Sequence, residues 1–156
     1  MKEKVIIVLD RLRSAHNVGN IFRIAEALGV AEIVACGYTP VPPHPRLVKT
    51  AMGTDKMVPC RSFGTSLEAV NALRREGVKE ILAAEPLPES VPVWRKNYTF
   101  PLAVIFGNEA LGVHPETLKA VDGTICLPMY GKKASINVGN AAAAILYAIE
   151  ARSDLS

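Results

Sequence analysis

A single α/β domain, a parallel sheet flanked by helices, is the fold class this sequence predicts, and three observations carry it. Short β-branched runs alternate with segments of helical period. Most of those runs are continuously apolar, as strands covered on both faces are. Prolines gather between the patterned segments, where an α/β chain can leave its core without breaking a ladder.

The expected strands are residues 5–9, 32–36, 56–60, 80–84, 102–106 and 124–127. After the first strand, residues 18–28 read as a helix entered at Asn17, a good N-cap, and left at Gly29, a good C′ residue. Residues 66–76, ended by Gly77, follow the same grammar, and an alanine-rich helix runs from about residue 138 to 151. Pro40, Pro42, Pro43 and Pro45 mark one loop, and Pro86, Pro88 and Pro92 another. Regular pattern resumes beyond each, so both are loops inside one domain covering residues 1–156. A chain of 156 residues supports one core burying roughly 70% of its unfolded surface and is short for two.

Composition is that of a globular chain, with 49% hydrophobic and 21% charged residues. No run approaches the roughly 20 apolar residues of a membrane span, and the apolar stretch at residues 5–9 is too short for a signal-peptide core. Cys36, Cys60 and Cys126 are odd in number and far apart, with no histidine at metal spacing, so they are expected to be buried thiols in a reducing cytoplasm, and no metal is expected. The net charge of +3 equals the excess of the first fifty residues, which hold seven Lys/Arg against four Asp/Glu. This permits a phosphate-bearing partner without demanding one.

Open parallel sheets bind ligands at the carboxyl ends of their strands, and there three loops stop looking like scaffold. The first runs from Asp10 to Arg23. Asn17, Asn20 and Arg23 fall on or near one side of its helical turns, and an Arg facing the rim can grip a phosphate with its planar fork. Alone, a capping Asn17, a packed Gly19 and a solvated Arg23 explain the same residues. The second is Gly107-Asn108-Glu109-Ala110-Leu111-Gly112-Val113, where a glycine after a buried strand lets a ligand approach the backbone and Glu109 projects a carboxylate. An ordinary strand-to-helix turn explains it too, and it is no dinucleotide fingerprint. The third is Leu127-Pro128-Met129 followed by a Gly-Lys-Lys turn and Ser135-Ile136-Asn137-Val138-Gly139-Asn140, in which Ser135 or Asn137 could serve as a helix cap.

In this order the three blocks closely resemble the SPOUT class of methyltransferases, SpoU or TrmH type, which methylates ribose 2′-hydroxyls of tRNA and rRNA. The motifs are Asn17-Val18-Gly19-Asn20-Ile21-Phe22-Arg23, then Val104 to Gly112 around Gly107-Asn108-Glu109, then Leu127-Pro128-Met129 with Ser135-Ile136-Asn137-Val138. Residues 49–56 look like the family's linker after the second strand. The resemblance implies S-adenosyl-L-methionine as donor, a C-terminal trefoil knot, and a homodimer packed through the first and last helices. It implies donor binding at Ala83, Gly107, Leu127, Met129 and Ile136. Arg23 is implied to fix an RNA phosphate and stabilise the developing alkoxide, with Asn17, Glu109, Ser135 and Asn137 orienting that group and the ribose.

Arg23 is no general base, since guanidinium stays protonated. Gly139 and Ile136 depart from the Ser and Leu of many relatives, and neither change removes a catalytic group. With the first strand beginning by Val5, no N-terminal RNA-binding extension is expected, so RNA meets the catalytic domain itself. Arg11, Arg13, Arg46, Lys49, Lys132 and Lys133 are candidates for a phosphate track. His16, His44 and His114 read as surface or capping residues, and Trp94 and Tyr98 as packing. The expected activity is RNA ribose 2′-O-methylation. Its rivals are a non-catalytic RNA-binding or assembly factor that kept the fold and a flavodoxin-like small-ligand domain.

Overall fold

Alternation along the central strands divides the core in two. In the computed structural model, which describes residues 1–155, the strands are β1 (Val5–Asp10), β2 (Glu32–Cys36), β3 (Cys60–Phe63), β4 (Glu80–Ala84), β5 (Val91–Pro92), β6 (Leu102–Gly107) and β7 (Gly123–Cys126). They form one parallel sheet in the order β3-β2-β1-β6-β4-β7-β5. The helices are α1 (Ala15–Leu28), α2 (Pro45–Ala51), α3 (Ser66–Arg75), α4 (Pro115–Ala120) and α5 (Val138–Asp154).

Val5, Ile7 and Leu9 of β1 and Leu102, Val104 and Phe106 of β6 turn to one face, where Val18, Ile21 and Phe22 of α1 and Leu146 and Ile149 of α5 cover them. Ile6, Val8, Ala103 and Ile105 turn to the other and meet Ala69, Val70 and Leu73 of α3. This is the period of two that a strand imposes. Full burial of each large side chain is worth about 1.5–3 kcal/mol, which is why the inner strands carry the apolar runs. β6 lies between β1 and β4, so the carboxyl ends of β1, β6, β4 and β7 share one rim.

Several expectations shift. Residues 56–60 are not a strand: Thr54–Lys56 is a 3-10 turn and β3 begins at Cys60. β3 is an edge strand, and its Arg61 bridges Glu32 at 2.9 Å and Glu76 at 2.5 Å, so no apolar run announces it. The final strand ends at Cys126, which leaves Leu127 in the following loop. Helix α1 starts at Ala15, capped by the Ser14 side chain accepting from the Asn17 N–H, so Asn17 is not the cap.

Two helices lie hidden among prolines. Pro45 opens α2 and Pro115 opens α4, with His44 and His114 as caps whose Nδ1 atoms accept from the N–H groups of Arg46 and Glu116, each at 3.2 Å. The linker-like residues 49–56 are thus the end of α2, a left-handed Met52 and the 3-10 turn. Of the thiols only Cys36 is buried, and burial pushes it up to about 12, while Cys60 and Cys126 are partly exposed. Among the described residues no helix is long and apolar enough to cross a membrane.

Candidate active site

Because Ser14 caps α1, the Asn17 side chain is released to the rim, where it is 8% exposed. Its Nδ2 donates to Glu109 Oε2 at 3.4 Å, and its Oδ1 accepts from Asn137 Nδ2 at 3.1 Å. Asn137 is itself the cap of α5, its Oδ1 accepting from Gly139 N at 2.8 Å and Asn140 N at 3.1 Å. The direction of this chain is fixed at both ends. Glu109 as a carboxylate only accepts, and the Asn137 oxygen is taken by the helix, so both amides must point as they do. Ser135 is therefore not the α5 cap.

Glu109 also accepts from two backbone N–H groups, that of Arg13 to Oε1 at 2.9 Å and to Oε2 at 3.3 Å, and that of Ser14 to Oε2 at 3.0 Å. Partial burial pushes its carboxyl up. The N–H groups of Arg13, of Glu109 itself and of Ser14, with the Asn17 amide, outweigh that and hold it below the usual carboxylate range. The group is an anion at neutral pH, an anchor and not a proton donor.

The loop after β6 is held from beneath. Asn108, 4% exposed, donates to Arg11 O at 2.7 Å and to the Tyr38 hydroxyl at 3.0 Å, and accepts from Ala110 N at 2.8 Å and Leu111 N at 2.9 Å. Arg11, in the left-handed region with φ 57°, pairs with Asp10 and donates to Gly112 O at 3.1 Å, while Asp10 accepts from His114 N at 2.8 Å. A Cβ on Gly107 would collide with the Gly112 carbonyl carbon and the Val113 nitrogen, so only glycine lets the loop fold back on its own strand. Arg11 is thus engaged within the chain by Asp10 and Gly112 while staying partly exposed. Arg13, Arg46, Lys49, Lys132 and Lys133 are exposed.

Beside these bonds lies a cavity of about 830 Å³, with Gly107, Leu127, Met129, Ser135, Ile136 and Asn137 in its wall. Ala83 is not part of that wall. It is fully buried on the α3 face; Ala84, one step along β4 and so turned to the other face, lines the cavity instead, as does Glu85 just beyond the strand. Arg23 stands outside the wall, exposed on α1 and paired with no carboxylate among the described residues. Asn108 and Glu85 were not singled out as site residues from sequence. Asn108 stood inside the motif that pointed to Glu109, whereas nothing about Glu85 in a proline-rich loop marks it. No cluster of His, Cys, Asp or Glu among the described residues could hold a metal ion.

Residues 4–147 match the family described as SpoU rRNA Methylase family. A tRNA (guanosine(18)-2′-O)-methyltransferase of Thermus thermophilus is 36% identical over 142 residues, covering 90% of this chain and 71% of that protein. A 23S rRNA (uridine(2479)-2′-O)-methyltransferase of Streptomyces viridochromogenes is 31% identical over 144 residues, and there the chain spans only 50% of the relative's length. The solved SpoU methyltransferase AviRb of Streptomyces viridochromogenes, in complex with the cofactor AdoMet, superposes with a TM-score of 0.85 at 28% identity, covering 97% of this chain and 58% of that one.

Proposed function

This chain belongs to the SpoU rRNA methylase family, and from that membership we propose that it transfers a methyl group from S-adenosylmethionine to a ribose 2′-hydroxyl of tRNA or rRNA. The observation that carries the reading is the bond chain Asn137–Asn17–Glu109 at the wall of the 830 Å³ cavity. That volume falls within the roughly 300–1,000 Å³ of small-molecule sites. Its wall offers apolar surface from Phe106, Leu127 and Ile136 for an adenine ring and open backbone at Gly107 for polar edges, so the residues present fit the donor.

The donor supplies a methyl on a sulfonium: the S–CH₃ bond breaks as an O–CH₃ bond forms, the ribose hydroxyl loses its proton, and S-adenosylhomocysteine remains. Since the leaving group is already good, the protein's task is to align the acceptor and raise its nucleophilicity. Arg23, with no partner among the described residues, binds the RNA phosphate and places positive charge beside the developing alkoxide, while the phosphate takes the proton. Asn17 and Asn137, locked by Glu109 and the α5 cap, hold the ribose, and Ser135 closes over it from the loop. Gly107, Leu127, Met129 and Ile136 hold the donor.

Residues 1–156 act as one domain in this reading, and the chain after β7 is threaded beneath the loop after β6 as a trefoil knot. Its support is that both loops line the same cavity and that α5 then lands on α1. Two copies pack through α1 and α5 in a homodimer that brings Arg23 to the acceptor, and the enzyme works in the cytoplasm. The test is methyl incorporation from labelled S-adenosylmethionine into total tRNA and rRNA of a strain lacking this gene, followed by nucleoside mass spectrometry. One 2′-O-methylnucleoside is expected; label found only in methylated bases overturns the reading.

A further inference from the structure

Glu85, immediately after β4, brings a carboxylate to the cavity wall between Ala84 and Pro86. Its backbone N–H donates to Ile125 O at 3.0 Å, and its Oε1 accepts from Val113 N at 2.5 Å, so the residue is pinned between β7 and the loop after β6. A Cβ on Gly112, which has φ 72°, would stand 2.6 Å from that Oε1, so the loop closes over the carboxylate only with glycine there.

Oε2 has a different situation. Among the described residues no donor reaches it and no Lys or Arg pairs with Glu85. The oxygen is also absent from the fully buried atoms that lack a partner, so it keeps access to solvent, on a residue that lines the cavity. Burial pushes the Glu85 carboxyl above its ordinary range; the Val113 N–H draws it back, and the charge of Asp10 adds to the rise. A half-buried carboxylate without a counter-charge loses hydration that a protein partner does not replace. A ligand that brings an N–H or O–H to Oε2 restores it, and such perturbed, cavity-facing groups concentrate at functional sites.

We propose that Glu85 recognises the methyl donor, its open Oε2 accepting a hydrogen bond from an N–H or O–H of S-adenosylmethionine. The proposal rests on the donor-pocket reading above. The ligand carries two donors of this chemistry, the α-ammonium of its methionyl part and the hydroxyl pair of its ribose.

Glu85→Gln is the informative variant, because the amide keeps an oxygen for the Val113 N–H while turning the other atom from acceptor into donor. Calorimetry compares wild type and E85Q with S-adenosylhomocysteine and with 5′-methylthioadenosine, which has the ribose hydroxyls but no ammonium. S-adenosylhomocysteine is expected to bind E85Q about ten- to a hundredfold more weakly, the size of a bond to a charged group. An unchanged affinity for 5′-methylthioadenosine assigns the bond to the ammonium, and an equal loss assigns it to the ribose. E85Q binding S-adenosylhomocysteine within twofold of wild type overturns the role of Glu85 alone. Wild type binding neither ligand overturns the donor pocket itself and this proposal with it. Should E85Q not fold, the wild type still decides: the side-chain carboxyl ¹³C resonance of Glu85 shifts on adding S-adenosylhomocysteine, and a resonance that stays in place overturns the assignment.

Discussion

The Asn137 side chain donates to Asn17 Oδ1 across 3.1 Å and thereby ties the first turn of α5 to the first turn of α1, 120 residues away. The same Asn137 caps α5 through its oxygen. These two duties can be separated. Asn137→Asp keeps the capping oxygen but deletes the donor, whereas Asn137→Ala deletes both. Thermal unfolding is expected to lower stability by about 0.5–2 kcal/mol in N137A and leave N137D within about 0.5 kcal/mol of wild type. Methyl transfer is expected to fall steeply in both. Full activity in N137D would remove the Asn17 bond from the mechanism.

Arg23 tests the opposite combination. It is exposed and makes no ion pair among the described residues, so Arg23→Ala is expected to leave stability within about 0.5 kcal/mol. Donor affinity should hold, since the side chain stands outside the cavity wall. The rate of transfer should drop about 10²–10³-fold, the scale of losing one stabilising contact to a developing oxyanion. Arg23→Lys keeps the charge but not the fork, and single-turnover kinetics should place it between the two. An R23A enzyme of wild-type rate ends the role given to Arg23.

The sequence carried β1, β2, β4 and β6 openly because they are inner strands whose apolar runs need no pairing information. β3 was misplaced because an edge strand balances its exposed side with charge, here Arg61 between Glu32 and Glu76. Helices α2 and α4 were lost among prolines, although Pro45 and Pro115 each stand at a first helical position behind a histidine cap. In the site, motif residues were legible one by one, but their bonds were not. That Ser14 takes the cap and so frees Asn17 depends on where Glu109 sits, a long-range fact. That the Ala84 side chain and not the Ala83 side chain reaches the cavity wall has a simpler cause, since one residue along a strand is a change of face.

Glu109 sets a pH prediction. Its folded carboxyl lies below the usual range, so its contribution to stability is complete above the ordinary carboxylate value of about 4.3 and is lost as pH falls through the folded value. Glu109→Gln brings a donor against the N–H groups of Arg13 and Ser14. The gap in melting temperature between wild type and E109Q is therefore expected to be constant from pH 8 to 5.5 and to shrink in more acid solution, as scanning calorimetry would record. A gap that closes near neutrality means the carboxylate is not held as described.

Gly107 addresses the loop fold. Its missing Cβ is where the main chain of Gly112 and Val113 passes, and backbone cannot step aside as a flexible side chain would. Gly107→Ala is expected to cost about 1–3 kcal/mol and to abolish donor binding measured by calorimetry, because the loop must open. Gly131, with nothing within 4 Å of its would-be Cβ, is the matched control, and Gly131→Ala should bind the donor normally.

The dimer reading makes its own demand on α5. Asn140, Ala144, Tyr147 and Ala151 recur at helical spacing, and all are exposed, Tyr147 by 53%. Ala142, Ile145, Leu146 and Ile149 on the other side of the helix are already spent on the core. A stripe with small residues at Ala144 and Ala151 lets a second helix approach closely, and a long charged side chain in that stripe would hold it off. Wild type is expected to show twice the chain mass in light scattering, and Ala144→Arg to show the single mass with an unchanged circular dichroism spectrum. If Arg23 reaches the acceptor only through the pairing of α1 and α5, the monomeric variant should bind S-adenosylhomocysteine yet fail to methylate RNA. An active monomer would place the whole site within one chain.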